Sequence, residues 1–286
     1  MKRLRIEHST EYAFERAVSL LPHRIFVHPR GGHALRVASF TLNIEPTATV
    51  RWHRDALDNA VAIATFEPTL ATSLRVASSV VIEQYDSAPL DFFVEPYAAT
   101  YPFEYEQGLA RVLAPFRVPS WPDDVPVIEP WLGKLGLRGG SIETFVLLDR
   151  LNRALHETFG YRAREEAGVQ SPSSTLALGT GSCRDLAALF NDSCRAFGLA
   201  SRFVSGYVHD PDLPRHQGAT HAWSETYLPG AGWKGFDPTT GRLAGADHIP
   251  VAVAYHPQDV PPVSGAFLGP PQKPVMRVAV DVCAVD

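Results

Sequence analysis

Three residues in the second half of the chain have the types and the order that nucleophilic chemistry needs: Cys183, His221 and Asp237. Cys183 lies in LGTGSCRDLAALF, directly after a Gly-Thr-Gly-Ser turn and before an apolar run of helical period. Ser182 and Asp185 have the Ser-x-x-Asp spacing of a capping box, which sets Cys183 at the first helical position. There the free backbone N–H groups and the positive end of the helix dipole favour a thiolate and are expected to lower the thiol pKa. The N–H of Cys183 is also a ready donor for an oxyanion. Gly179 and Gly181 leave the backbone ahead of the thiol bare, so a peptide can approach closely. The competing reading is a thiol that only fills core, a common fate of lone cysteines. That reading suits the other two, since Cys194 lies mid-helix among Leu189, Phe190 and Phe197, and Cys283 interrupts a terminal strand.

A thiolate that attacks an amide needs a base, and the base needs an orienter. THAWSETYLPGAGWKGFDPTTG carries both on one expected hairpin, with His221 opening the first strand and Asp237 closing the second. With a five-residue turn from Leu228 to Gly232, Trp223 stands opposite Asp237. His221 is then its diagonal neighbour on the same face, roughly 7–8 Å away by Cα. A four-residue turn would slip the register by one and send the two side chains to opposite faces. The spacing of His209, His216 and His221 matches no standard zinc pattern, and Cys183 has no second cysteine near it. Neither a metal site nor a cofactor is expected. HDPDLPRHQGAT, which holds His209, Asp210 and His216, reads as a polar loop shaping a cleft beside His221.

The elements that must hold these residues are legible in outline. The chain has 286 residues, 45% hydrophobic and 20% charged, with ample apolar content for a core. A formal net charge of -5 and the lack of a basic run argue against a nucleic-acid partner. The N-terminus MKRLRIEHSTEYAFE has no continuous apolar segment, and no stretch of about 18 apolar residues could span a membrane. With three cysteines, too few for a disulfide framework, the expectation is a cytoplasmic protein with no membrane partner. No oligomeric state follows from these features.

Residues 1–95 alternate as short strands with turn signals between them, which predicts an N-terminal β-sandwich. His8, His23, His28, His33 and His53 are scattered through it without metal-ligand spacing and are expected at the surface or in hydrogen bonds. Residues 96–286 form the expected core, beginning with a Pro- and Gly-rich connector over 96–140 that includes a helical piece from Glu104 to Leu113. SIETFVLLDRLNRALHETFGY is an amphipathic helix with Ser141 as N-cap and Phe145, Leu148, Leu151, Leu155 and Phe159 on one stripe. A second helix runs from Cys183 to Phe197, and strands follow. Helices first and hairpin-linked strands after give an α+β core with an antiparallel sheet.

GTGSCRDLAALF, HAWSETYLPGAGWKGFDPTTG and their separation resemble the core of the bacterial transglutaminase-like proteins, often described as candidate cysteine proteases. IEHSTEYAFERAVSLLPHRIFVHPR and RDALDN resemble that family's amino-terminal β domain, with Phe14 where a tyrosine is common. The resemblance implies Cys183 as nucleophile, His221 as general base and acid, and Asp237 as orienter of the imidazole, on a papain-like arrangement of helix and sheet. It implies a cysteine-dependent peptidase or amidase acting on a peptide or protein substrate through a thioester. The same acyl-enzyme could pass to an amine, as in a protein transglutaminase, and a peptide-binding scaffold without turnover is a third reading. No acidic cluster reads as a calcium site. Tyr161 and Trp223 stand as candidates for a second oxyanion donor, against the simpler reading of aromatic packing.

Overall fold

The computed structural model describes residues 1–85, 90–164, 166, 168–210 and 220–285. The chain opens with β1 (Lys2–Ile25), in which Leu4, Ile6, His8 and Thr10 are buried while Arg3, Arg5 and Glu7 face out, the period of two expected of a strand covered on one face. β2 (Leu35–Glu45), β3 (Ala48–Arg54), β4 (Ala60–Phe66) and β5 (Leu70–Gln84) join it in one antiparallel sheet of order β2-β5-β1-β4-β3. β2 and β3 end that path on opposite sides, yet the rings of Phe40 and Trp52 meet at 5.5 Å. The sheet therefore curls over a common core of Val18, Leu20, Ile25, Leu74 and Val76. The expected sandwich is one sheet folded on itself, made possible by the length and bend of β1.

The connector carries α1 (Gln107–Leu113) and α2 (Val125–Lys134). Phe103 and Trp131 pack on the helical core, as their apolar character requires. Buried Asp192 accepts from the N–H groups of Ser120 and Trp121, each at 2.9 Å, and pairs with Arg195 at 2.9 Å. The first long helix starts later than Ser141 predicts. Residues Thr100–Tyr101 (β6) and Ile142–Glu143 (β7) pair as short strands, so α3 runs over Thr144–Thr158. The backbone at 142–143 is committed to β6 and cannot also begin a helix.

Next come Gly160–Tyr161 (β8), α4 (Pro172–Leu178), Thr180–Gly181 (β9) and α5 (Cys183–Ala196), with β8 and β9 parallel. A second antiparallel sheet follows, built from β10 (Ser201–Val208), β11 (Thr220–Leu228), β12 (Gly232–Asp237), β13 (Arg242–Leu243) and β14 (His248–Ala254), in the order β13-β12-β11-β10-β14. Leu186, Leu189 and Phe190 of α5 pack with Leu228 and Phe236 of this sheet and with Leu148 and Leu151 of α3. The observed architecture is α+β with antiparallel sheets. The chain then returns: β15 (Val263–Leu268) and β16 (Val275–Ala284) pair with β1, so residues grouped by sequence with the core complete the first sheet. No described helix is long and apolar enough to cross a membrane.

The two sheets share one core, in which Leu4, Ile6, Val80 and Ile82 meet Phe203, Tyr207, Ile249 and Val251. His8 hydrogen-bonds the Tyr207 hydroxyl across it at 2.7 Å, and burial holds its pKa down to about 4. Asn59, at the end of RDALDN, is wholly buried and treats Val253 as a strand would: its Nδ2 donates to Val253 O at 2.8 Å and its Oδ1 accepts from Val253 N at 2.8 Å. Arg30 also donates to Asn59 Oδ1. Removing the amide leaves a buried N–H and C=O of β14 without partners, so Asn59→Ala should lose about 2–4 kcal/mol in urea unfolding. Asn59→Asp, which cannot donate to Val253 O, should also be destabilised. Unchanged midpoints in both variants would show that this clamp contributes nothing.

Candidate active site

The path into α5 is built to fix one backbone N–H and one thiol. α4 ends at Gly179, whose φ of 66° is the left-handed conformation that closes a helix cheaply only at glycine. Residues 180–181 then pair with 160–161, and Ser182 caps α5. Asp185 is fully buried and accepts from Ser182 N at 2.9 Å, Ser182 Oγ at 2.7 Å, Gln170 N at 2.8 Å and Arg164 Nη1 at 2.8 Å. The capping box read from the sequence is thus present, and its carboxylate ties Arg164 and Gln170 to the helix start. Cys183 takes the first helical position, where no intrahelical acceptor exists for its N–H.

The hairpin has the register that an odd turn gives. Leu228 pairs with Gly232 and Ser224 with Phe236, so one further step sets Trp223 opposite Asp237. The turn closes through Ala231 N donating to Leu228 O at 3.0 Å, with Pro229 and Gly230 at its centre. Gly230 has φ of 87°, the sign a type II turn demands at that position. A Cβ there would also press on Glu95 N and Phe93 O at 3.0 Å. As a result His221 Nε2 donates to Asp237 Oδ2 at 3.0 Å. Trp223 is buried with its ring stacked on His221 at 6.2 Å between centroids. Room for that indole depends on Gly206 in β10, where a Cβ would lie 2.8 Å from the ring and 2.2 Å from Ile249 O.

Asp237 is itself buried and accepts four hydrogen bonds. Besides His221, its Oδ1 takes Thr239 N at 2.9 Å, and its Oδ2 takes Thr240 Oγ1 at 3.0 Å and His248 Nε2 at 3.3 Å. Burial alone would raise its pKa; the hydrogen bonds from the two histidines outweigh that and hold it far below the usual carboxylate range. Burial would likewise lower the His221 pKa, but hydrogen bonds to Asp237 and Cys183 reverse the sign and raise it to about 10. With Nε2 committed to Asp237, Nδ1 is the nitrogen left for the thiol. Cys183 and His221 line a cleft of about 580 Å³ whose walls include Phe203, Ala222, Val260 and Pro262, with Arg184, Ser205, Thr220 and Gln258 as further polar members.

The geometry therefore brings together Cys183, His221 and Asp237. Tyr161 lies half-exposed near the thiol, its hydroxyl pKa raised by burial and by the Cys183 charge. Trp223 packs against His221 at 6.2 Å and against the edge of His248 at 5.1 Å. Of the histidines weighed as metal ligands, His209 sits apart with Lys2 and Asp247, and His216 lies outside the described residues, as does most of its loop. His248, absent from the sequence reading, completes a cluster with His221 and Asp237 whose ligand atoms lie within 4.8 Å of one another. Those atoms are already joined by hydrogen bonds, and a cation would need both Nε2 protons removed. The only signal in the sequence was a histidine opening the apolar strand HIPVAVA.

These shifts set opposite pH dependences. His221 is stabilised in its protonated form, so its contribution is complete below its unfolded pKa of about 6.5 and is lost as pH rises through about 10. Asp237, held low, contributes above its unfolded pKa of about 3.9 and loses that contribution only in strong acid. The difference in thermal midpoint between the native protein and His221→Ala should be wide at pH 6 and narrow by pH 10.5. A gap that stays constant over that range would contradict the raised imidazole.

Comparison with known proteins bears on the family likeness and the fold. Residues 4–83 match the family described as the bacterial transglutaminase-like N-terminal region, and residues 140–238 match the transglutaminase-like superfamily core. An uncharacterized protein of Mycobacterium tuberculosis is 27% identical over 309 residues, spanning 98% of this chain and 92% of that relative. Another, from Mycobacterium leprae, is 33% identical over 93 residues, 31% of this chain and 33% of that relative. The crystal structure of a candidate cysteine protease from Cytophaga hutchinsonii covers 100% of this chain and 91% of its own with a TM-score of 0.73 at 17% identity, a likeness of fold. In sequence the chain thus matches the bacterial transglutaminase-like N-terminal region over residues 4–83 and the transglutaminase-like superfamily over residues 140–238, and along its length it shares the fold of the Cytophaga protein.

Proposed function

We propose that the protein is a cysteine-dependent amide-bond hydrolase, a peptidase or amidase in which Cys183 is the nucleophile, His221 the general base and acid, and Asp237 the orienter. The observation that carries this reading is the 3.0 Å bond from His221 Nε2 to buried Asp237, which aims the other imidazole nitrogen at a thiol on a helix N-terminus. An imidazolium beside such a thiol is the setting that favours a thiolate. Sγ attacks the scissile carbonyl carbon, and the developing oxyanion is met by the Cys183 N–H. His221 gives its Nδ1 proton to the departing amine, leaving a thioester on Cys183. Water then adds to the thioester with His221 taking its proton, and the acid is released as Sγ leaves. Asp237 keeps the ring oriented and balances its charge throughout. The cleft's apolar walls and two hydroxyl-bearing residues suit an extended peptide or protein segment.

Cys183 should react with iodoacetamide near neutral pH far faster than the other two thiols. Cys194 serves as the internal control, being fully buried with its thiol pKa pushed up to about 12 by that burial. Equal, slow labelling of all three cysteines would overturn the nucleophile assignment. Cys183→Ala should fold normally and lose hydrolysis of a peptide library by about 10³-fold or more. The same library incubated with a primary amine separates outcomes: free acids support the hydrolase, and amide adducts in their place would make the protein a transglutaminase. Full activity in Cys183→Ala would move the chemistry elsewhere.

A further inference from the structure

We propose that His248 is a positioning residue of this site: its Nε2–H pins the Asp237 carboxylate in the rotamer that presents Oδ2 to His221. Gly245 N approaches His248 Nδ1 at 3.3 Å, and a backbone N–H can only donate. Nδ1 must therefore offer its lone pair, which places the ring proton on Nε2. That proton points at Asp237 Oδ2, 3.3 Å away. The tautomer is fixed by the chain itself, through the short loop that leads into β14.

The consequence is that one carboxylate oxygen receives two imidazole N–H groups from different strands, His221 on β11 and His248 on β14. Thr240 Oγ1 is a third donor to the same atom, and Thr239 N holds the opposite oxygen. Without His248, only groups at the end of the hairpin that carries His221 and Asp237 would restrain the carboxylate. With it, the position of Asp237 is referred to β14, on the far side of β10 in the sheet. Trp223 packs beside both imidazoles, whose centroids lie 6.1 Å apart. On its other side His248 borders a second cavity of about 460 Å³. The charged groups there are Arg30, Arg202, Glu225 and Lys234, together with His33. Arg202 pairs with Glu225 at 2.7 Å and Arg30 donates to Asn59, which leaves Asp237 as the anion that His248 serves.

The functional consequence rests on the hydrolase reading, but the tautomer can be tested without it. Long-range 1H–15N correlation of imidazoles in the native protein at pH 7.5 should show His248 with an unprotonated Nδ1 and a protonated Nε2. The opposite tautomer would overturn the proposal whatever the enzyme does. Cys183 alkylation by iodoacetamide supplies the second readout, since that reagent requires no substrate site. In His248→Leu the rate at pH 7.5 should fall about tenfold. His248→Gln, which keeps an N–H donor near the Nε2 position, should restore the rate to within about threefold. A folded His248→Leu protein with the native rate would overturn the positioning role. If native Cys183 labels no faster than Cys283, the nucleophile assignment fails instead, and the NMR result still decides the tautomer.

Discussion

A carboxylate buried beyond the reach of water must be surrounded by donors, and the Asp237 site is organised around that requirement. Its four hydrogen bonds come from β11, from β14 and from the turn after β12. Each supplier must be held at bonding distance, so the requirement propagates outward. The hairpin must take an odd turn, Gly206 must stay bare for Trp223, and β14 must start where His248 meets Asp237. The same anion sustains the raised His221 pKa, so one buried charge determines both the geometry and the electrostatics next to Cys183.

The first sheet supports this arrangement without contributing to the cleft. Asn59 completes hydrogen bonds with Val253 of β14, five residues beyond His248, and His8 bonds Tyr207 in β10. Apolar residues of β1 and β5 share a core with β10 and β14. β15 and β16 pair with β1, so residues near both ends of the chain join in the first sheet. A peripheral β unit linked only through the connector would not restrain β14 in this way.

The thiol side follows a similar logic with a different carboxylate. Asp185 holds Ser182, Gln170 and Arg164 together and thereby fixes the start of α5. It is spent wholly on structure, whereas Asp237 retains an imidazole that faces the cleft. Two buried aspartates thus set the two halves of the site, one locating the nucleophile and the other the base.

Much of this was local enough to be read from the residues. The Ser-x-x-Asp spacing placed Cys183 at a helix start, because capping is an interaction across one turn. The register of the hairpin followed once the turn from Leu228 to Gly232 was odd, because alternation in a strand is strict. The strand character of the first unit came from the same alternation. Other features lay beyond local pattern. The start of α3 moved to Thr144 because β6, some forty residues earlier, claimed the backbone at 142–143. The sandwich became one curled sheet, and β16 joined β1 from the other end of the chain. His248 entered the site for the same reason: strand order, and not sequence spacing, carries it to Asp237. Sequence alone determined which residues could act and how their own elements begin, since caps, turns and alternation act over a few residues. Only the tertiary structure decided what surrounds Asp237, since a buried charge takes its donors from whatever the fold brings within 3.3 Å.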